Sequence, residues 1–225
     1  MNKTPSTNIA PEHAINFFEG FAFAEDQGYS MTAHATIILN LLPNYPRAGS
    51  LADQCHFAIR ITARIKKRFS DWISYYKVPN HHAFVLENPP HEIANLVKRV
   101  HVHIAFHVPD HLRERFEEVI KDAVFEGVGK RTRKRISNVV KITYHPRTWT
   151  LAAYFLKGAD PATTLPGQPD VFLRHVLRVR ARAVAQDPLQ WAQGRIIGKR
   201  CGLSKQLDRA ARAKRLQPPP LQLAA

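Results

Sequence analysis

The stretch KRVHVHIAFHVPD, residues 98–110, decides how this chain folds and what the fold carries. Successive side chains of a β-strand point to opposite faces. Read as a strand over 99–108, the stretch puts Val100, Val102, Ile104 and Phe106 on one face and His101, His103 and His107 on the other. The first face is a core. The second presents imidazoles, which are ligands for a metal or partners for an anion.

The segment before it, HHAFVLEN at 81–88, is a second strand, stopped by Pro89 and Pro90. Paired with 99–108 as an antiparallel hairpin, it brings Glu87 beside the histidines. Two imidazoles and one carboxylate suit Mn²⁺, Mg²⁺ or Zn²⁺. Each residue alone also has a plainer explanation: a solvated glutamate closing a loop, or hydrogen-bonded surface histidines. His107, farther along the strand, is assigned a structural or DNA-contact role.

Outward from this hairpin, HATIILNLL (34–42) reads as a strand ended by the turn cluster PNYPRAGS. From Leu51 to Lys77, Ile61, Ile65, Phe69, Trp72, Ile73 and Tyr76 recur at helical spacing, with Arg60, Arg64, Lys66, Lys67 and Arg68 on a basic outer face. PDHLRERFEEVIKDAVFEG is a helix capped at Asp110 and ended by Gly127. KRTRKR (130–135) reads as a solvated basic run, and NVVKITYHP (138–146) as a strand. A helix follows from Arg147 to Leu156, then a linker rich in Pro and Gly. The order β, α, β, β, α, β, α points to an α+β fold, a mostly antiparallel central sheet with flanking helices. The expected division is an N-terminal extension at 1–30, a main domain at 31–160, a linker at 161–170 and a basic helical extension at 171–225 with a disordered tail.

Composition narrows the class of partner. Thirty-three Lys+Arg against eighteen Asp+Glu give a formal charge of +15, and such an excess attracts polyanions, nucleic acid above all. Beyond Val171 the chain has twelve Lys+Arg and two Asp, which is ten of those fifteen charges. Cys55 and Cys201 are far apart and support neither a zinc ribbon nor a disulfide scaffold. The N-terminus lacks a basic-then-apolar signal pattern, and no aliphatic stretch approaches the ~20 residues that span a bilayer. The expectation is a soluble cytoplasmic protein with no membrane partner.

The helix RTWTLAAYFLKG (147–158) carries the third candidate element. At 100° per residue, Trp149, Ala152, Ala153 and Leu156 form an apolar face, and Tyr154 falls outside it beside Lys157, with Arg147 two turns back. A phenol flanked by cations suits attack on a phosphodiester. An exposed tyrosine on an ordinary helix is the plainer alternative.

Together these residues resemble the HUH endonucleases, the family of rolling-circle replication initiators (Rep) and single-strand transposases. His101-Val102-His103 is similar to the family's His–hydrophobic–His motif, and Tyr154-Phe155-Leu156-Lys157 to its Tyr-x-x-Lys motif. The resemblance covers residues 34–158, and the order, histidines before tyrosine, fits Rep proteins. It departs from the family in having Asn40 where a Thr-Leu-Thr strand end is usual, a single motif tyrosine and no helicase domain.

The resemblance implies a ferredoxin-like palm, a divalent ion (Mn²⁺ or Mg²⁺) held by His101, His103 and Glu87, and Tyr154 as the nucleophile that leaves a 5′-phosphotyrosyl DNA. It further implies that Lys157 positions the phosphate, that the substrate is single-stranded, origin or hairpin DNA, and that a host helicase is a partner. Transposition by the same chemistry is one alternative. A non-catalytic basic nucleic-acid-binding protein and an unrelated zinc-binding domain are the others. In GRIIGKRCGLSKQLDRAARAKR (194–215), Ser204 reads as a cap in a helix-turn-helix-like segment. With Arg147, the residues Lys199, Arg200, Lys205, Arg209 and Arg212 are the expected nucleic-acid contacts. A solvated basic tail is the competing reading.

Overall fold

The structure is a computed structural model of the chain, and it describes residues 5–88, 100–179 and 194–216. In chain order its elements are α1 (Pro11–Asp26), β1 (Ala33–Ile38), α2 (Leu51–Tyr75), β2 (His82–Glu87), β3 (His101–Phe106), α3 (Arg113–Val124), α4 (Lys130–Arg135), β4 (Val140–Tyr144) and α5 (Thr148–Phe155). They are followed by β5 (Thr164–Leu165), β6 (Gln168–Phe172), α6 (Leu173–Val176), β7 (Cys201–Leu203) and α7 (Arg209–Leu216). Five strands form one antiparallel sheet in the order β4-β1-β3-β2-β7. The fold is therefore α+β with flanking helices, as the order of elements predicts.

Alternation along the strands separates two cores. Ala35, Ile37, Val102, Ile104, Phe106, Phe84 and Leu86 face α2 and α3. The stripe Ala58, Ile61, Ile65, Phe69 and Ile73 gives α2 one apolar side at helical spacing. Its start is fixed by a capping box: Ser50 Oγ accepts from the Asp53 backbone at 3.2 Å, and Asp53 Oδ2 accepts from the Ser50 backbone at 2.9 Å. Phe69, Phe106 and Phe116 pack with ring centroids 4.5–5.9 Å apart at the centre of this layer. On the other face α1 and α5 bring Phe17, Phe21, Leu151 and Phe155 against Ala83, Val85 and Ala105.

Several expected boundaries shift. The residues read as an N-terminal extension contain α1, whose Phe17 and Phe21 are buried. KRTRKR, read as a solvated basic run, is the short helix α4, with Lys130, Arg131 and Lys134 exposed. The 161–170 linker holds the hairpin of β5 and β6, in which Gly167 supplies the positive φ (72°) that the turn after Pro166 requires.

The largest difference concerns the C-terminal extension. Instead of a separate helical unit, its residues 201–203 form the edge strand of the main sheet, with Val85 opposite Cys201 and Ala83 opposite Leu203. Gly202 is needed there, because a Cβ would lie 2.7 Å from Phe84 Cε1 and 2.9 Å from Lys199 Cε. There is no helix-turn-helix at 194–215. Asp208, not Ser204, caps α7, accepting from the Ala211 backbone at 2.9 Å. A high density of charge conceals Ile196, Cys201 and Leu207, all buried. The expected disordered tail, PPPLQLAA at 218–225, lies outside the described residues, as does 180–193. Among the described residues no helix is long and apolar enough to cross a membrane.

Candidate metal centre and its tyrosine helix

Antiparallel pairing of β2 with β3 sets Glu87 opposite His101 and Val85 opposite His103. The side chains of Glu87, His101 and His103 therefore share one face of the sheet. His101 Nε2 lies 3.5 Å from Glu87 Oε2, and His103 Nε2 lies 3.7 Å from the same oxygen. One ligand atom from each residue falls within 4.8 Å of the others, and all three residues are buried. Bonds of about 2.1 Å hold tetrahedral ligand atoms about 3.4 Å apart, so this donor set fits a single divalent ion with positions left open.

The helix α5 roofs the cluster. Its first turn is tied down by the Thr148 hydroxyl, which donates to the Met31 carbonyl at 3.1 Å. Leu151, Ala152 and Phe155 are its buried residues next to the sheet; of the expected apolar face, Ala152 and Leu156 are fully buried and Trp149 and Ala153 pack, partly buried, against the same core, which Phe155 also joins. Tyr154 stands outside that stripe and is 37% exposed. Its hydroxyl reaches 3.3 Å from His103 Nε2. Lys157, one turn on, places Nζ 2.9 Å from Glu87 Oε2 and 3.9 Å from the centroid of the Tyr154 ring. His101, His103, Tyr154 and Lys157 of the two motifs thus meet Glu87 at one place.

Electrostatics explains the protonation states. Burial, the largest influence on Glu87, raises its pKa. Its neighbours His101, His103 and Lys157 together outweigh burial and hold the carboxyl well below its ordinary value. Burial pushes His103 down to about 4, so at neutral pH its imidazole is uncharged and Lys157 is the standing cation beside Glu87.

Three residues of this region escape the motif reading. His34 on β1 sets Nε2 3.0 Å from His103 Nδ1, and Thr36 Oγ1 lies 3.1 Å from that nitrogen. His145, just past β4, sets Nε2 3.4 Å from His34 Nδ1. Burial foremost, then the neighbouring His103 and His145, pushes His34 down to about 3. A signal existed in the sequence: His34 and Thr36 are polar residues two apart in an apolar strand, the same alternation that marks His101 and His103.

The expected nucleic-acid contacts fare unevenly. Arg147 is exposed at the N-cap of α5, and among the described residues no hydrogen bond or ion pair ties it to the cluster. Lys199, Lys205 and Arg209 are exposed. Arg200 and Arg212 are instead buried and turned inward. Arg200 donates to the carbonyls of Ser6 and Gly194 at 2.5 Å each, and Arg212 pairs with Glu19 Oε2 at 2.7 Å and Asn16 Oδ1 at 2.9 Å. Arg200 thus ties Ser6 to Gly194 and Arg212 ties α7 to α1, and both side chains are engaged within the fold. His107 bonds the Ser30 carbonyl through Nδ1 at 3.0 Å, the structural side of its expected role. No family model, no curated protein and no solved structure matches this chain.

Proposed function

We propose that the protein is a metal-dependent single-strand DNA nicking and rejoining enzyme that works through a phosphotyrosine, as in the initiation of rolling-circle replication. The observation that carries this reading is the Tyr154 hydroxyl at 3.3 Å from His103 Nε2, on the rim of a cluster of two imidazoles and one carboxylate. A structural tyrosine belongs in the apolar stripe of its helix. This one leaves the stripe and is turned to the histidine pair.

Glu87, His101 and His103 would hold the ion. When bound, it would supply Lewis-acid polarisation of the scissile phosphate and stabilise its developing charge. The chain's own part follows from its geometry. The Tyr154 oxygen attacks phosphorus and its proton leaves to solvent. The bond from phosphorus to the 3′ oxygen breaks, that oxygen takes up a proton, and the 5′ phosphate remains esterified to the tyrosine. Attack by a 3′-hydroxyl on the same phosphorus reverses these steps and rejoins the strand. Lys157 stands beside the phenol, where its ammonium meets the negative charge of the phosphate and of the departing phenol oxygen. Burial keeps the His103 imidazole neutral and ready as a ligand at physiological pH.

The net charge of +15 supports a polyanionic substrate. Arg147, Lys199, Lys205 and Arg209, all exposed, are the surviving candidates for phosphate contacts. The test is incubation with labelled single-stranded DNA and Mn²⁺, followed by denaturing electrophoresis. The expected product is a covalent adduct that needs the ion and is absent from Tyr154→Phe. An adduct retained by that variant removes the tyrosine assignment. Salt-sensitive binding with no adduct on any strand makes the protein a binding module.

A further inference from the structure

We propose that His34 is a positioning residue that fixes which nitrogen of His103 is offered to a metal ion, as the middle member of a one-way chain of imidazoles ending at His145. The inference rests on the Glu87–His101–His103 cluster as a metal site and not on any DNA chemistry.

The direction of the chain follows from the atoms that face each other. His103 turns Nε2 toward Glu87 Oε2 and the Tyr154 hydroxyl, so its ligand lone pair points into the cluster. A neutral imidazole that ligates through Nε2 carries its hydrogen on Nδ1. That nitrogen is 3.0 Å from His34 Nε2, which must therefore accept. A neutral His34 that accepts at Nε2 bears its own hydrogen on Nδ1, and this nitrogen faces His145 Nε2 at 3.4 Å. His145 then accepts in turn, and its hydrogen also sits on Nδ1.

Thr36 reinforces the same polarity. Its Oγ1 lies 3.1 Å from His103 Nδ1 and 3.3 Å from His34 Nε2, so it can accept from the first and donate to the second. By either route His34 Nε2 is an acceptor. Strand pairing explains why these residues meet: β1 lies antiparallel to β3 with Thr36 opposite His103, and His34 is two residues along on the same face. The His34 ring is held between neighbours, with centroids 5.5 Å from Phe155 and 5.3 Å from Tyr154. It has little room to turn. An outer partner of this kind orients a ligating imidazole and raises its basicity, and losing one typically costs 10–100-fold in metal affinity.

The experiment uses the full chain loaded with Zn²⁺, which is diamagnetic. Long-range ¹H–¹⁵N spectra of the histidine rings are expected to show His34, His103 and His145 as Nδ1–H tautomers. His34 found with its hydrogen on Nε2 overturns the proposal without recourse to any variant. Calorimetric titration with Zn²⁺ supplies the second readout. His34→Phe, of similar shape but unable to accept, is expected to weaken binding by roughly 10–100-fold. His34→Gln, whose Oε1 stands near the acceptor position, is expected to recover most of that loss. Unchanged affinity in the Phe variant overturns the proposal. His103→Ala, titrated alongside, separates the layers of inference: unchanged binding there would show that the cluster is not the metal site. A failure of the DNA reading alone would alter none of these measurements.

Discussion

The two faces of the sheet are made by the same strands and have opposite characters. Toward α2 and α3, β3 presents Val102, Ile104 and Phe106 to a dry layer of aliphatic and aromatic side chains. Toward α1 and α5 it presents His101, His103 and Ala105, and its neighbours add Glu87, His34 and Thr36. The apolar face needs only volume and shape, so it can bear most of the folding free energy. The polar face must satisfy buried nitrogens one by one, and an ion-binding cluster is what that arrangement can hold. Strand alternation lets one six-residue segment do both.

If the division is real, substitutions on the two faces should separate stability from metal affinity. Phe69 is fully buried against Phe106 and Phe116 on the apolar face. Phe69→Ala should cost about 3–5 kcal/mol in urea unfolding. Its folded fraction should bind Zn²⁺ with unchanged affinity. His101→Ala should do the reverse. It should weaken Zn²⁺ binding by more than the ~100-fold typical of losing an outer partner, with a smaller loss of stability than Phe69→Ala. A His101 variant that binds metal normally would break the comparison outright.

Much of this division can be read in the sequence, because its decisive part is local. The hairpin partners are consecutive strands, so alternation plus one antiparallel pairing suffices to set Glu87 opposite His101. Helical periodicity likewise reveals that Tyr154 leaves an apolar stripe of Trp149, Ala152, Ala153 and Leu156, though it leaves out Phe155, which is also driven against the sheet. What the sequence hides is non-local. His34 meets His103 through a pairing of strands 69 residues apart, and no spacing rule encodes that register. The edge strand β7 is hidden by its surroundings: three residues with one Gly, inside the most basic part of the chain. Charge density also made Arg200 and Arg212 look like surface residues, whereas each satisfies carbonyls or carboxylates within the fold.

Acid should sharpen the contrast by acting on both faces through the same residue type. Burial lowers His82, on the apolar side, to about 3, and lowers His34 and His103, on the polar side, to about 3 and about 4. In the unfolded chain these imidazoles take up protons below about pH 6.5, while the folded protein resists doing so until pH 3–4. The unfolded state therefore binds more protons across that window, and stability falls as pH drops through it. By pH 5 the loss should be on the order of 1–2 kcal/mol for each of the three. Glu87, held low, adds a loss in the same direction at still lower pH. Urea unfolding of the metal-free protein at pH 7 and pH 5 measures the slope, and His82→Leu should reduce it by roughly one proton's share. An unchanged slope in that variant would mean that the apolar face does not contribute.

The smallest expected effect isolates a single charge. Lys157 Nζ sits 2.9 Å from Glu87 Oε2, the same oxygen that faces both histidines, so its ammonium and a divalent ion compete for one acceptor. The lysine side chain is about a third exposed, which keeps the pair near the weak end of ion-pair energies, about 1 kcal/mol. Lys157→Met should therefore lower the stability of the metal-free protein by about that amount and tighten Zn²⁺ binding by roughly fivefold. Its rate of DNA adduct formation should fall nonetheless, because the charge that meets the phosphate has gone. The matching control lies on the opposite face, where Lys66 rests 4.7 Å from the centroid of the Phe84 ring. Lys66→Met removes an equal charge from the chain and should leave Zn²⁺ affinity where it was. Equal tightening in the two variants would trace the effect to net charge and not to the shared oxygen of Glu87.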